Sequence, residues 1–206
     1  MATETPGADD NASGVAVLLE LVRLLKGHSE RRTIRFVAFT CEEPPYFQTQ
    51  DMGSLRYAKS LKAQGVEFAS MFALDCVGFY SDAEGSQRYL PGTGPHETTR
   101  GNFVALVGNE SSRALVARTK ATLVGAGDLP AQGQVLPDSV HEAGWSDHWS
   151  FWQIGVPALV VSDSGPFRNA HYHQTSDVPE SLDYSRMATL TNQLGAVLRA
   201  EAARPR

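Results

Sequence analysis

Apolar residues recur along this chain in two alternating rhythms. After Ser13, the residues Leu18, Leu21, Val22 and Leu25 fall at i, i+3, i+4 and i+7, with Glu20, Arg23 and Lys26 on the opposite face. That spacing predicts a helix capped by Ser13 and stopped after about Lys26 by Gly27. Thr33 to Thr40 is β-branched and aromatic (Thr-Ile-Arg-Phe-Val-Ala-Phe-Thr), which predicts a mostly buried strand. It ends in Cys41-Glu42-Glu43, and Pro44-Pro45 cannot continue a strand ladder. Gly53-Ser54 opens a second helix with Leu55, Ala58 and Leu61 inward, and Met71 to Val77 reads as a second strand with Asp75 near its end. Gly78 to Arg100 is rich in Gly, Pro and polar residues and reads as loops. Phe103 to Val107 is a third strand. Ser111 or Ser112 caps a helix to about Val124, Gly125 to Gly144 reads as loop, and Asp147 to Gln153 as one or two helical turns. Pro157 to Val161 is a fourth strand. A last helix starts near Asp183, with Met187, Leu190, Leu194 and Val197 as its inward stripe.

Strands alternating with helices predict an α/β fold: a three-layer α/β/α sandwich with a mostly parallel central sheet. No repeat, low-complexity tract or linker divides residues 1–206, which read as a single domain.

Composition narrows the function. The chain is 42% hydrophobic and 20% charged, as in ordinary globular proteins. Its net charge of −5 argues against a nucleic-acid or anionic-membrane surface, which needs a basic face. No apolar run approaches the ~20 residues that span a bilayer. No signal peptide is visible, which leaves the compartment open. Cys41 and Cys76 do not make a disulfide framework and read as free buried thiols.

Candidate chemistry gathers at the strand ends. In open α/β sheets, functional groups collect at the carboxyl ends of strands. Glu42, Glu43 and Asp75 are at such ends, and His173 lies in the loop after the fourth strand. Asp10 sits on the turn Pro6-Gly7-Ala8-Asp9-Asp10-Asn11-Ala12-Ser13-Gly14, just ahead of the first helix. Taken alone, that turn is a helix cap. With its companions it adds to an O/N ligand set of two Asp, one Glu and one His, suited to zinc, or to cobalt or manganese. Of two adjacent glutamates at a strand end, one can bind metal while the other acts as general base of metal-assisted hydrolysis.

These residues resemble a known family. The turn at Pro6–Gly14, the run Arg32–Phe39 leading to Glu42-Glu43, then Gly53-Ser54, Leu74-Asp75, Ser146-Asp147-His148 and His171-Tyr172-His173-Gln174-Thr175-Ser176-Asp177 are similar to the M28 zinc metallopeptidases, the di-zinc aminopeptidases. The resemblance implies a zinc-exopeptidase fold and cleavage of N-terminal residues from peptides. It implies that Asp10 bridges two metals, that Glu42 is the general base, that Glu43 and His173 complete one site, and that Asp75 serves the other. It gives Asp9 an outer-shell or turn role, and Asp147 and His148 a supporting role near the substrate pocket. His171 is expected to face away from the metal. Tyr46, Phe47, Trp145, Trp149, Phe151 and Trp152 are divided between a substrate pocket and core packing.

One departure matters. The family pattern has a strand ending in His-x-Asp ahead of the turn, and its His is a ligand of the second metal. Here only Met1 to Thr5 precede the turn, without a His. The expectation is therefore one tightly held zinc and an incomplete second site, in an N-terminally truncated sheet with an open edge. An open edge invites pairing, so a homo-oligomer through that edge is expected. Single-zinc glutaminyl cyclases are similar to this fold, which makes cyclase-like acyl transfer the alternative activity. A catalytically inactive metal-binding remnant is the non-enzyme alternative.

Overall fold

The protein is described by a computed structural model covering residues 5–93 and 96–205. Gly94 and Pro95, inside the predicted loop excursion, and Met1 to Glu4 lie outside the described residues.

Four strands form the sheet: β1 (Met71–Leu74), β2 (Val104–Gly108), β3 (Ala131–Val135) and β4 (Ala158–Ser162), in the order β1-β4-β2-β3. β1 is parallel to β4 and β2 to β3, while β2 and β4 run antiparallel. The sheet is thus mixed, with two of its three pairings parallel. Helices α1 (Gly14–Leu25), α3 (Arg113–Ala126) and α5 (Tyr184–Ala203) cover one face. Helices α2 (Gly53–Ala63) and α4 (His148–Trp152) cover the other. The larger core joins Val17 and Leu21 of α1, Leu115 and Leu123 of α3 and the α5 stripe to Leu106, Leu159 and Val161 of the sheet. The smaller one joins Ala58 of α2 and Phe151 of α4 to Ala158.

Several sequence expectations need correction. Thr33–Phe39 has the composition of a strand but enters no ladder among the described residues, because no partner strand lies beside it. β3 falls inside the stretch read as loop: Ala-Gln-Gly-Gln-Val has neither β-branched enrichment nor apolar alternation, and its pairing to β2 makes it a strand. The α1 stripe is Val17 and Leu21, both 2% exposed, whereas Val22 is 42% exposed. Ser13 does not cap α1. Its hydroxyl is buried, donating to the Asp9 carbonyl (2.7 Å) and accepting from the Val77 amide (3.0 Å). Asn11 Oδ1 accepts the Gly14 amide instead (3.1 Å). At α3, neither predicted serine supplies the cap: Asn109 Oδ1 accepts from the Ser112 amide at 3.2 Å. Cys76 is buried and Cys41 exposed, and both are free thiols.

Candidate active site

The Asp9-Asp10 turn is fastened from three sides. The Asp177 carboxylate, fully buried, accepts the Asp9 amide at 2.9 Å and the Asp10 amide at 3.2 Å. Asp9 itself is 1% exposed and points inward, accepting from the Gly78 amide (2.8 Å) and from Asn169 Nδ2 (2.8 Å). Asn11 Nδ2 donates to the Leu74 carbonyl at 2.8 Å, which ties the turn to the end of β1. A carboxylate or amide that accepts and donates to backbone groups in this way fixes the chain without regular secondary structure. Asp10 is the group left over, facing the rim.

Three side chains from distant parts of the sequence meet there. His173 Nε2 lies 2.9 Å from Asp10 Oδ2 and 3.3 Å from Glu43 Oε1. Asp10 Oδ2 and His173 Nε2 are both buried and have no hydrogen bond of proper geometry despite their closeness. Two lone-pair atoms orphaned against each other are what a shared cation satisfies, so Asp10, Glu43 and His173 fit a metal such as zinc. The His173 ring is held by stacking on Tyr172, with centroids 4.0 Å apart. A second group of possible donors, Asp10, Asp75 and the Cys76 thiol, adjoins the first through Asp10.

The remaining acids crowd the same rim. Burial, then the Asp75, Asp147 and Glu43 charges, push Glu42 up to about 9. Burial, then Asp75 and Glu43, raise Asp10 to about 8. Asp75 is raised by burial, with hydrogen bonds from Ser146 and Cys76 opposing the shift. Asp147 is raised to about 6 by burial, against a hydrogen bond from Ser54. The cause is common: burial of several neighbouring carboxylates in one recess, each raising the next. A divalent cation in their midst would reverse the sign of that field and hold them ionised.

The sequence-predicted residues are therefore not all in one place. Asp10, Glu43 and His173 converge, Glu42 and Asp75 border them, and Asp147 acts on Glu42 through its charge. His148 is fully buried beneath the rim, its Nε2 2.8 Å from the Ala143 carbonyl and its ring edge-on to Trp152. His171 turns to Ser176 Oγ (2.8 Å) and Phe79. Asp9 is a structural anchor. Sequence reasoning gave no individual role to Asp177, Asn11 or Asn169, which hold the turn. Asp177 sits in the same run as His173, and an acid closing a His-rich loop was the available signal.

A cavity of about 260 Å³ opens beside Asp75 and Cys76, with Phe103, Leu136, Trp145, Phe167 and Tyr172 in its wall. Phe151 is core, packed against Phe39 and Phe68. Among the described residues no helix is long and apolar enough to cross a membrane.

Comparison with known proteins bears on all of this. The chain is 39% identical over 191 residues to the uncharacterized protein YfbL of Escherichia coli, covering 92% of this chain and 58% of that protein. It is 33% identical over 189 residues to aminopeptidase YwaD of Bacillus subtilis, covering 89% of this chain and 35% of that one. Among solved structures, an aminopeptidase from Aneurinibacillus sp. strain AM-1 matches 98% of this chain and 41% of its own, with a TM-score of 0.66 and 27% identity. A glutaminyl cyclase from Porphyromonas gingivalis, at 18% identity, shares the fold over 96% of this chain and 64% of its own, with a TM-score of 0.62. The chain thus spans between about a third and two thirds of the length of these proteins. The model of peptidase family M28 matches residues 1–198, and the chain belongs to that zinc aminopeptidase-type family.

Proposed function

We propose that this chain carries the hydrolytic centre of a metal-dependent aminopeptidase that removes N-terminal residues from peptides. The observation that carries the reading is the convergence of Asp10, Glu43 and His173 on one point with Glu42 beside it. Zinc at that point would supply Lewis acidity toward the scissile carbonyl and lower the pKa of an attacking water. Cobalt or manganese would fit the same donors.

Each residue has a task within that reading. Asp10, Glu43 and His173 would hold the cation through two carboxylates and an imidazole. Glu42, ionised once the cation offsets the surrounding acids, takes the proton from the attacking water and passes it to the leaving amine. Asp147 raises the basicity of Glu42 by its charge. Asp75, with Asp10 and Cys76 as neighbouring donors, would hold a second cation. That second position is the weaker one, because it has no imidazole among the described residues. The cavity beside Asp75 receives the side chain of the residue being released, and its aromatic wall favours an apolar one.

The test is Glu42→Gln assayed on aminoacyl-nitroanilides with added zinc or cobalt. The expected result is a loss of about 10²–10⁴-fold in kcat with zinc content unchanged. Retained activity would remove Glu42 from its role. Two tightly bound zincs per chain would contradict the weak second site.

A second reading is acyl transfer of the glutaminyl-cyclase kind, favoured by the single Asp-Glu-His set around one position. Release of pyroglutamate from a peptide with N-terminal glutamine, without nitroanilide hydrolysis, is its signature. Zinc binding with neither activity would leave a metal-binding protein.

A further inference from the structure

Trp145 stands 41% exposed in the wall of the cavity beside Asp75, whereas Phe103, Phe167 and Tyr172 in the same wall are buried or half-buried. It is nevertheless held from two directions. Its indole Nε1–H donates to Nδ1 of His141 at 2.7 Å. The two rings meet edge to face, with centroids 6.2 Å apart and planes at 77°. Beneath the indole, three successive carbonyls are each engaged. That of Glu142 accepts from the Trp145 amide (3.3 Å), that of Ala143 lies 2.8 Å from His148 Nε2, and that of Gly144 accepts from Gln48 Nε2 (3.2 Å). The turn packs so closely that a Cβ on Gly144 would lie 2.9 Å from the Trp149 ring. The short turn His141–Gly144 thus fixes both the backbone and the ring of Trp145.

A hydrogen bond this exposed adds little to stability, because water offers the indole an equivalent partner. Its effect is on orientation. A tryptophan side chain has two rotatable bonds, and a bond at the tip of the ring selects one setting of them. In that setting the indole is a rigid, flat wall. Asp75 and Cys76 line the same cavity, so it runs from the acidic rim to the indole. The sheet contributes Ala105, Val107 and Val160, short side chains that leave its depth open. An aliphatic side chain entering from the rim gains burial there. An aromatic one gains burial and ring–ring attraction as well.

We propose that Trp145 is a specificity-determining residue whose indole selects an aromatic first residue, and that His141 is the positioning residue that sets the indole at its angle. The inference rests on the aminopeptidase reading for what enters the cavity, and narrows the apolar class to its aromatic members. Without the His141 acceptor the indole turns about its two bonds and swings across the cavity in some settings. Large ligands then lose more than small ones.

The test is binding rather than turnover. L-phenylalanine, L-leucine and L-alanine are titrated into the full 206-residue chain loaded with zinc. Calorimetry gives the affinities, and the indole N–H resonances of isotope-labelled protein report on Trp145, whose signal is identified by its loss in Trp145→Ala. The expected result is that phenylalanine shifts that signal and binds about five- to tenfold more tightly than leucine. Trp145→Ala erases the preference. His141→Leu weakens phenylalanine about fivefold and leaves alanine unchanged. His141→Asn, which offers an acceptor oxygen near the place of Nδ1, restores phenylalanine to within about twofold. The inference is overturned if phenylalanine fails to bind or binds no better than leucine, or if His141→Asn is as weak as His141→Leu. It is equally overturned if His141→Leu weakens alanine as much as phenylalanine, the mark of a merely structural role. Nitroanilide hydrolysis measured alongside separates this inference from the one beneath it. The expected binding pattern without hydrolysis would remove the aminopeptidase reading alone, and hydrolysis without the pattern would remove the roles of Trp145 and His141 alone.

Discussion

The sheet and the strand-like segment on its β1 side carry similar side chains and have different fates. On one side, β2 and β4 alternate buried and half-buried positions, with Val104, Leu106, Leu159 and Val161 wholly enclosed between helical layers. On the other, Thr33–Phe39 is at least as β-branched and aromatic, yet none of its residues is fully buried. β1 shares a ladder with β4 and lines a groove with the segment, and only Ala73 of its four residues is buried. The difference teaches that composition specifies a segment's readiness to be a strand, whereas burial comes from its neighbours.

The contrast can be broken most directly by truncating one side chain in each. Leu159→Ala, in the sheet, should cost about 2–5 kcal/mol in denaturant unfolding, because the cavity left behind has no room to collapse. Val37→Ala, in the segment, should cost about 1 kcal/mol or less. Equal losses would mean that the groove is closed in solution.

Acid should sharpen the contrast next. His148 in α4 is sealed beneath the rim, and burial lowers it to about 4 against the opposing hydrogen bond to Ala143. A histidine with a lowered folded-state pKa contributes stability above its unfolded value of about 6.5, and that contribution is lost as pH falls toward 4. The loss amounts to about 3 kcal/mol. His148→Gln cannot take up that proton. The stability gap between the two proteins should therefore narrow between pH 7 and pH 4, and a gap independent of pH would discard this origin.

A smaller effect is expected at the turn. Asp177→Asn replaces one of the oxygens that accept the Asp9 and Asp10 amides. The cost in stability should be about 2 kcal/mol. Zinc affinity, read by competition with a chromogenic chelator, should fall by roughly ten- to a hundredfold as Asp10 loses its support. An unchanged affinity would mean that the turn holds Asp10 without Asp177.

Much of the fold was legible in the sequence because local spacing carries it. The α5 stripe of Met187, Leu190, Leu194 and Val197 is buried as its period implies, and β2 and β4 begin and end within a residue of their apolar runs. β3 was not legible, since Gln132 and Gln134 give it no apolar face and its pairing to β2 is a long-range fact. The same holds at the site. Asp10, Glu43 and His173 stood out by residue type and position in the chain. Asp177 did not, because its hydrogen bond to the Asp9 amide spans 168 positions and leaves no periodic trace. Val22, placed inward by its spacing, is exposed, because α1 turns Val17 and Leu21 to the core instead.

One feature of the rim has a mechanical meaning. Cys41, Cys76 and His173 have φ of 58°, 53° and 57°, the left-handed region that costs a side-chain-bearing residue about 1 kcal/mol or more. Cys41 immediately precedes Glu42, Cys76 immediately follows Asp75, and His173 is itself a candidate donor. At each of these points the chain swings abruptly out of the line of its strand or loop. The orientation of the donor atoms is then set by a stiff local joint rather than by the pleat behind it. Glycine at Cys41 or Cys76 would relieve the torsion and free the backbone beside Glu42 or Asp75 to take other directions.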